Sequence, residues 1–185
     1  MAKLTNSEIQ KIWHQSRIAP ILPAGPTANE FGVVAVGGSL SSRWVLNAYA
    51  QGVFPWPLDL GHDTEEKLLG WFCPDPRAVL LPADLHIPRR LGRKIRSGRF
   101  SVTSDRAFGA VISACSGPRK IEGEVEAGTW ITEEMKSVYT SLYEKGIAHS
   151  IEVWQEEALV GGLYGIAVGT IFCGESMFHH VGDAS

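Results

Sequence analysis

The sequence predicts a fold that combines helices with a β-sheet, of the α+β or α/β class. Two observations indicate this class. Helical and alternating apolar patterns are interspersed along the chain, and the last of them are strand patterns joined as a hairpin. The 185 residues, 44% of them hydrophobic, suffice for a sizeable core in one domain, or in one domain with a small partner. A helical bundle or a β-sandwich is therefore not expected.

The first elements follow from serine, glycine and proline signals. Ser41 or Ser42 is a helix cap, and Gly52 marks the end of the helix that follows. The prolines of Phe54-Pro55-Trp56-Pro57 exclude a helix there and predict a rigid turn that presents aromatic side chains. After a polar loop over 59–67, we expect a strand over 78–81.

Two further helices are predicted in the second half. One covers residues 104–115, with Ser104 or Asp105 as its cap. The other covers residues 133–145 after the cap Thr132, and its apolar residues recur at helical spacing. The remaining segments are predicted as strands over 100–103, 149–154 and 159–173, and as a mobile loop over 116–128.

The charges are distributed unevenly along the chain. Residues 1–120 carry 15 Lys or Arg and 9 Asp or Glu, whereas residues 121–185 carry 2 and 11. Such an asymmetry indicates a polyanionic partner for the first part. Most of the excess lies between Leu85 and Ser104, where six bases occur without an acid.

These bases predict a cationic helix over residues 88–96. Arg89, Arg93 and Arg96 fall on one face of it, and apolar side chains, Leu91 and Ile95, fall on another. Like charges repel, so the run is more stable beside an anion. Guanidinium groups in a line suit phosphates. The run is either a solvated helix face or a nucleic-acid contact.

Several other classes of protein are excluded by the sequence. No stretch approaches the roughly 18 apolar residues of a membrane span. The polar start of the chain is not a signal peptide. Cys73, Cys115 and Cys173 are too far apart for a zinc ribbon or a dense disulfide framework. We expect a cytoplasmic protein without a metal or other cofactor.

Three residues are candidates for a binding site on local grounds. Trp56 and Trp130 lie in segments stiffened by proline or glycine, where an indole can stack on a nucleobase or fold onto the core. Glu175 follows an apolar strand, so its carboxylate is either a rim residue or a buried acceptor for a cationic amine.

Eight segments together resemble the sequence blocks of the bacterial leucyl/phenylalanyl-tRNA–protein transferase family. They occur in the family's order and cover the chain from about residue 33 to its end. The segments are Gly37–Ser41, Tyr49–Trp56, Trp71–Arg77, Leu85–Ile87, Gly128–Thr132, Ala148–Trp154, Leu159–Gly165 and Gly174–Phe178.

The resemblance implies an α+β fold with two domains. A small N-terminal α/β domain is expected over residues 1–80. An N-acetyltransferase-like domain, with helices and a mixed sheet, is expected over residues 81–185. The implied activity is transfer of Leu or Phe, and less well Met, from aminoacyl-tRNA to the α-amino group of proteins that begin with Arg or Lys. The product is an N-end-rule signal for degradation.

The resemblance also assigns roles by position. Trp56 and Trp130 match the tryptophans that hold the 3′-terminal adenosine. Leu163, Phe172 and Glu175 match the pocket for the aminoacyl group, and Glu175 is also the expected catalytic residue. The basic helix, with Arg89, Arg93 and Arg96, matches the contact with the tRNA acceptor stem. An aminoacyl ester is already activated, so positioning supplies most of the acceleration.

The resemblance weakens at the end of the chain. Ala184-Ser185 is similar to the start of the family's Ala-Ser-Lys helix, and the family's Asp and Gln that serve proton transfer lie in a later strand. We therefore expect a C-terminally incomplete domain. It should transfer poorly unless a second polypeptide or a dimer partner completes it. Two alternatives stay open: a tRNA-binding module without transfer activity, and a small-molecule N-acyltransferase that uses a CoA thioester.

Overall fold

The computed structural model describes residues 28–58, 68–121, 124–126 and 129–184. The chain divides into two compact units, residues 1–78 and 79–185. Helices and antiparallel strands occur in both units, which confirms the α+β class. The predicted loop over residues 59–67 lies outside the described residues.

The first unit contains a three-stranded antiparallel sheet in the order β1-β3-β2. Its strands are β1 (Val33–Val36), β2 (Phe54–Leu58) and β3 (Leu68–Phe72). The turn predicted at residues 54–57 is wrong, because these residues form β2. Pro55 and Pro57 are tolerated there because β2 is an edge strand, and proline cannot donate to a neighbouring strand.

One helix, α1 (Ser42–Tyr49), packs in this unit and has the predicted ends. The Ser41 hydroxyl accepts from the Trp44 N–H over 3.4 Å. Gly52 follows the helix with a φ of 75°, a left-handed conformation that glycine adopts without steric cost. The helix buries Val45, Ala48 and Tyr49.

The second unit is built on a four-stranded antiparallel sheet in the order β4-β7-β8-β9. The apolar run predicted over residues 159–173 forms parts of two strands, because the chain reverses at Gly169 and Thr170. The strands of this sheet are β4 (Ser101–Ser104), β7 (Ala148–Gln155), β8 (Ala158–Val168) and β9 (Ile171–His179).

Two helices pack on this sheet. Helix α3 (Phe108–Cys115) contacts β7, β8 and β9, and helix α4 (Glu133–Glu144) contacts α3 and β7. The prediction for α4 is confirmed in detail, since the Thr132 hydroxyl accepts from the Met135 N–H over 3.2 Å. The start predicted for α3 is wrong by four residues, because Ser104 belongs to β4 and Asp105 has a φ of 57°.

The basic helix, α2 (Arg89–Arg96), follows a short 3₁₀ helix over Pro82–Asp84. Its expected apolar face is not buried, since Ile95 is 59% exposed. The strand predicted over residues 78–81 does not form, and Val79 is 80% exposed.

The segment predicted as a mobile loop over residues 116–128 contains a two-stranded antiparallel hairpin. Its strands are β5 (Arg119–Ile121) and β6 (Glu124–Glu126). The prediction of a loop without strands is therefore wrong for these six positions. Each strand has three residues, which is shorter than any alternating pattern that a sequence window detects.

Candidate functional site

Glu175 is the extra residue of a β-bulge in strand β9. Tyr164 of β8 pairs with Ser176, whereas the next residue, Gly165, pairs with Gly174. Glu175 separates Gly174 from Ser176 in β9, whereas their partners in β8, Gly165 and Tyr164, are adjacent in sequence. A bulge interrupts the alternation of side chains and re-aims the extra residue.

The redirected carboxylate of Glu175 meets a tyrosine of helix α4. The hydroxyl of Tyr139 donates to Oε2 of Glu175 over 3.0 Å. Tyr139 is fully buried, and its ring packs edge-on against Tyr164 with 5.4 Å between centroids. A buried phenol held by an aromatic neighbour is a rigid donor. The half-buried carboxylate is thus fixed on the helical side of the sheet.

Two other predicted pocket residues lie on the opposite face of the same hairpin. Leu163 pairs with Met177, and Gly165 follows two positions later on the same face. The ring of Phe172 lies over Gly165, where a Cβ would come within 2.5 Å of the ring. Leu163 is half-buried, whereas Phe172 is 47% exposed. The structure therefore gathers Leu163 and Phe172 into one apolar surface on this face, whereas the Glu175 carboxylate is held on the other face of the hairpin.

The two candidate tryptophans lie in different units. Trp56 is half-buried in β2 and packs against the small core cluster formed by Val33, Val36 and Phe72. Trp130 is half-buried just before Thr132, the N-cap of α4. Each indole therefore keeps part of its surface accessible while its own unit holds it, which fits neither a fully buried core residue nor a free side chain.

The basic helix carries its three candidate arginines on the surface, as the sequence predicts. Arg89, Arg93 and Arg96 are exposed, and none of the three forms an ion pair within the described part of the chain. They line a groove of about 800 Å³ together with the apolar side chains of Ile87 and Ile95. Guanidinium groups that lack a carboxylate partner are available for an anion.

Within the described ranges, no group of three or more His, Cys, Asp or Glu side chains could hold a metal ion. Across the same ranges, no helix is long and apolar enough to cross a membrane.

Sequence comparisons agree with this arrangement of two units. The family model of the leucyl/phenylalanyl-tRNA protein transferases matches residues 79–185, and the model of the family's N-terminal domain matches residues 38–75. The chain belongs to this family. The relationship predicted from the eight segments is thereby confirmed.

Several curated relatives are named as members of this family. The leucyl/phenylalanyl-tRNA–protein transferase of Azotobacter vinelandii is 50% identical over 154 residues, which cover 83% of this chain and 64% of the relative. Those of Oleidesulfovibrio alaskensis and Aromatoleum aromaticum are 47% and 50% identical, and 64% and 61% of their lengths are covered. The chain thus spans less than two thirds of the length of these relatives.

The second unit also contains a buried carboxylate, Glu152, that the sequence analysis did not identify as a functional residue. Glu152 of β7 is fully buried and accepts three hydrogen bonds, from the hydroxyl of Ser150 over 2.6 Å, from the hydroxyl of Thr103 over 2.5 Å and from the N–H of Ala107 over 3.2 Å. Burial acts to raise the pKa of Glu152, but these hydrogen bonds outweigh it and hold the pKa below its ordinary value.

Glu152 explains why helix α3 starts where it does. Its carboxylate reaches the N–H of Ala107, the N-cap residue, which has no side-chain cap of its own. A negative charge near a helix N-terminus is favourable. The signal in the sequence was an acidic residue within a predicted strand, where burial requires partners for its carboxylate.

Asp105, which was expected to be a local helix cap, instead binds the neighbouring strand. Its carboxylate accepts from the Ser150 N–H over 2.9 Å and lies 2.8 Å from Nδ1 of His149. Partial burial acts to raise the pKa of Asp105. The bonds with His149 and Ser150 have the larger, opposite effect, so the pKa lies below its ordinary value. The loop after β4 is therefore tied to β7 by side chains of both Asp105 and Glu152.

Proposed function

We propose that this chain acts as an aminoacyltransferase that moves Leu or Phe, and less well Met, from aminoacyl-tRNA to the α-amino group of proteins beginning with Arg or Lys. The modified protein would carry an N-end-rule signal for degradation, and the reaction would occur in the cytoplasm. The observation that carries the proposal is the match of both family models, in order, along the two units.

The reaction requires that the enzyme position the acceptor amine beside the aminoacyl ester, and it requires no nucleophile from the protein. The neutral amine of the acceptor protein attacks the carbonyl carbon of the aminoacyl ester, a C–N bond forms, and the C–O bond to the ribose breaks. One proton leaves the amine, and the released ribose oxygen takes up one proton. Holding the two reactants together accounts for most of the acceleration.

We assign the aminoacyl side chain to the apolar surface of Leu163 and Phe172. An apolar surface selects Leu or Phe by the area that they bury, and each methylene contributes about 1–3 kcal/mol of discrimination. Glu175 is the proposed catalytic group that receives the amine. Its carboxylate lies at the bulge of β9, where Tyr139 holds it on the face of the hairpin opposite to this surface. The rigid hydrogen bond supports this role, because a preorganised acceptor needs no reorientation during the reaction.

We assign the RNA to the basic helix and the two tryptophans. Arg89, Arg93 and Arg96 would contact phosphates of the acceptor stem, and Trp56 and Trp130 would stack on the terminal adenosine. The three arginines are exposed and form no ion pair with any residue that the structure describes, which supports the first assignment. Partial exposure of both indoles supports the second.

The central experiment is transfer of radiolabelled Leu from charged tRNA to a protein with N-terminal Arg. The matched control is the same protein with an acetylated N-terminus, which lacks the attacking amine. Label on the free N-terminus alone supports the proposal. Binding of tRNA without transfer would instead indicate a tRNA-binding module, and acylation from a CoA thioester without tRNA would indicate a small-molecule N-acyltransferase.

The RNA surface has its own test. Replacing Arg89, Arg93 and Arg96 by Ala should reduce the slope of log K against log salt by roughly 0.7–0.9 for each lost phosphate contact. Arg43→Ala is the matched control, since Arg43 is an exposed arginine of helix α1. A salt slope that stays the same in the triple variant would identify the run as a solvated helix face.

The tryptophans are tested with an aminoacyl-adenosine analogue. Trp56→Ala and Trp130→Ala should each weaken its binding by about 1–3 kcal/mol if the indoles stack on adenine. Circular dichroism verifies that both variants are folded. Folded variants that bind the analogue normally would show that the indoles serve packing only.

A further inference from the structure

Helix α2 carries the charges of the proposed RNA surface, yet little of it is anchored in the second unit. None of its eight residues is buried, and Pro88 before it offers no side-chain cap. A short helix depends on packing for its stability, and this one has no buried face. Contacts outside the helix must therefore hold it in one orientation.

The last described residues, 180–184, fold back across the central strand β8. The N–H of His180 donates to the carbonyl of Val160 over 2.8 Å. Ala184 is buried against Gly161, and a Cβ at Gly161 would overlap the Ala184 carbonyl. We name residues 180–184 the return segment. It is seated on the sheet because position 161 has no side chain.

The return segment reaches helix α2 through one ion pair. The carboxylate of Asp183 pairs with the ammonium group of Lys94, which lies in the last turn of the helix. Asp183 has a φ of 66°, a left-handed conformation that Asp and Asn adopt more readily than most residues. Residues seated on the sheet are thus joined directly to the basic helix.

We propose that the return segment positions the basic helix for RNA, with Asp183 as the positioning residue. The inference rests on the proposed function, in which helix α2 contacts the acceptor stem. Asp183 touches no substrate in this proposal. It acts through Lys94, whose position in the last turn sets the direction in which Arg93 and Arg96 point.

Electrostatics alone and positioning by Asp183 predict opposite changes in RNA binding when Asp183 is removed. An acid beside a basic surface lowers the positive potential, so its removal alone should tighten RNA binding. Positioning predicts weaker binding, because the arginines are no longer held in line. The sign of the change therefore separates the two explanations.

The decisive variant is Asp183→Asn, which removes the charge and keeps a side chain that tolerates the left-handed backbone. We expect tRNA binding about two- to fivefold weaker at low salt, since exposed ion pairs contribute modestly. Lys94→Gln removes a cation of the basic run as well as the ion pair, so it should weaken binding at least as much. The double variant should differ little from Lys94→Gln alone, because the ion pair is already lost there. Asp183→Glu, which restores a carboxylate, should recover part of the affinity.

A second readout needs no RNA. Amide hydrogen exchange in helix α2 should become faster in Asp183→Asn, while exchange in helix α4 stays unchanged. If the wild-type chain binds no tRNA, the proposed function fails, whereas exchange still decides whether Asp183 holds the helix. Unchanged or tighter tRNA binding in Asp183→Asn, or unchanged exchange in α2, overturns the inference.

Gly161, on which the return segment packs, allows an independent test by substitution. Gly161→Ala should displace Ala184 and weaken tRNA binding as much as Asp183→Asn does. Gly109→Ala is the matched control, because a Cβ at Gly109 meets open space. Equal binding by the two alanine variants would contradict the role of the seat. If Gly161→Ala does not fold, Asp183→Asn decides alone.

Discussion

Replacing the buried Glu152 by Gln should destabilise the second unit markedly and in a pH-dependent way. The carboxylate accepts from Ser150 and Ala107 on Oε1 and from Thr103 on Oε2. A glutamine retains one acceptor oxygen, so the amide NH₂ group must face Thr103. That hydroxyl already accepts from Nε1 of Trp154 over 2.8 Å, so its own proton loses its acceptor.

The magnitude follows from these bonds. A hydrogen bond to a charged group contributes about 1.5–3 kcal/mol, whereas a neutral one contributes about 0.5–1.5 kcal/mol. One charged bond is lost and two become neutral, which predicts a loss of about 3.5–6 kcal/mol in unfolding free energy at pH 7. Glu157→Gln, a change at an exposed position of the same hairpin, is the control and should cost less than about 0.5 kcal/mol.

The pH dependence has a definite sign. Because the pKa of Glu152 is lowered in the folded protein, the stabilisation is complete above the ordinary Glu pKa of about 4.3. It is lost as the pH falls through that value towards the folded pKa. The difference between wild type and Glu152→Gln should therefore shrink between pH 6 and pH 3, as measured by urea unfolding. A difference that is constant with pH would refute the buried charge as its cause.

Two further substitutions test the geometry around strand β9. Tyr139→Phe removes a bond to the carboxylate of Glu175 and should cost about 1.5–3 kcal/mol in urea unfolding. Tyr143→Phe removes a bond to a backbone carbonyl and should cost about 0.5–1.5 kcal/mol, so equal losses would contradict a charged acceptor. Gly165→Ala should cost at least about 1–3 kcal/mol, because the added methyl group would meet the backbone carbonyl of Cys173 as well as the ring of Phe172, and full retention of thermal stability would contradict this close approach of β8 and β9.

Local signals predicted some elements well. Helix α4 was placed within one residue, because its cap Thr132 and its terminal Gly146 both act within one turn of the helix. Helix α3 was placed wrongly at its start. Its N-terminus is satisfied by Glu152, which lies 45 residues later in the chain than Ala107. A cap supplied by a neighbouring strand leaves no trace in the local sequence.

The sequence predicts a set of residues for the candidate site but not their geometry, and the set itself stays a prediction. Strand periodicity places Leu163 on one face of the hairpin, as observed. The same periodicity cannot reveal a bulge at Glu175, because an extra residue is visible only once the partner strand is known. The phenol of Tyr139 was a usable signal, since a buried tyrosine hydroxyl requires a partner.

The bulge has a consequence for how the site and the fold depend on each other. If Glu175 were deleted, Gly174 and Ser176 would become neighbours, and both would keep their present partners, Gly165 and Tyr164. The ladder would then be regular, and every other side chain of β9 would remain on its present face. The pairing of β8 with β9 therefore does not require this residue. A change in the number of residues would remove the carboxylate and its bond to Tyr139 and leave the strand pairing regular, so the proposed catalytic group and the register of the sheet can vary independently.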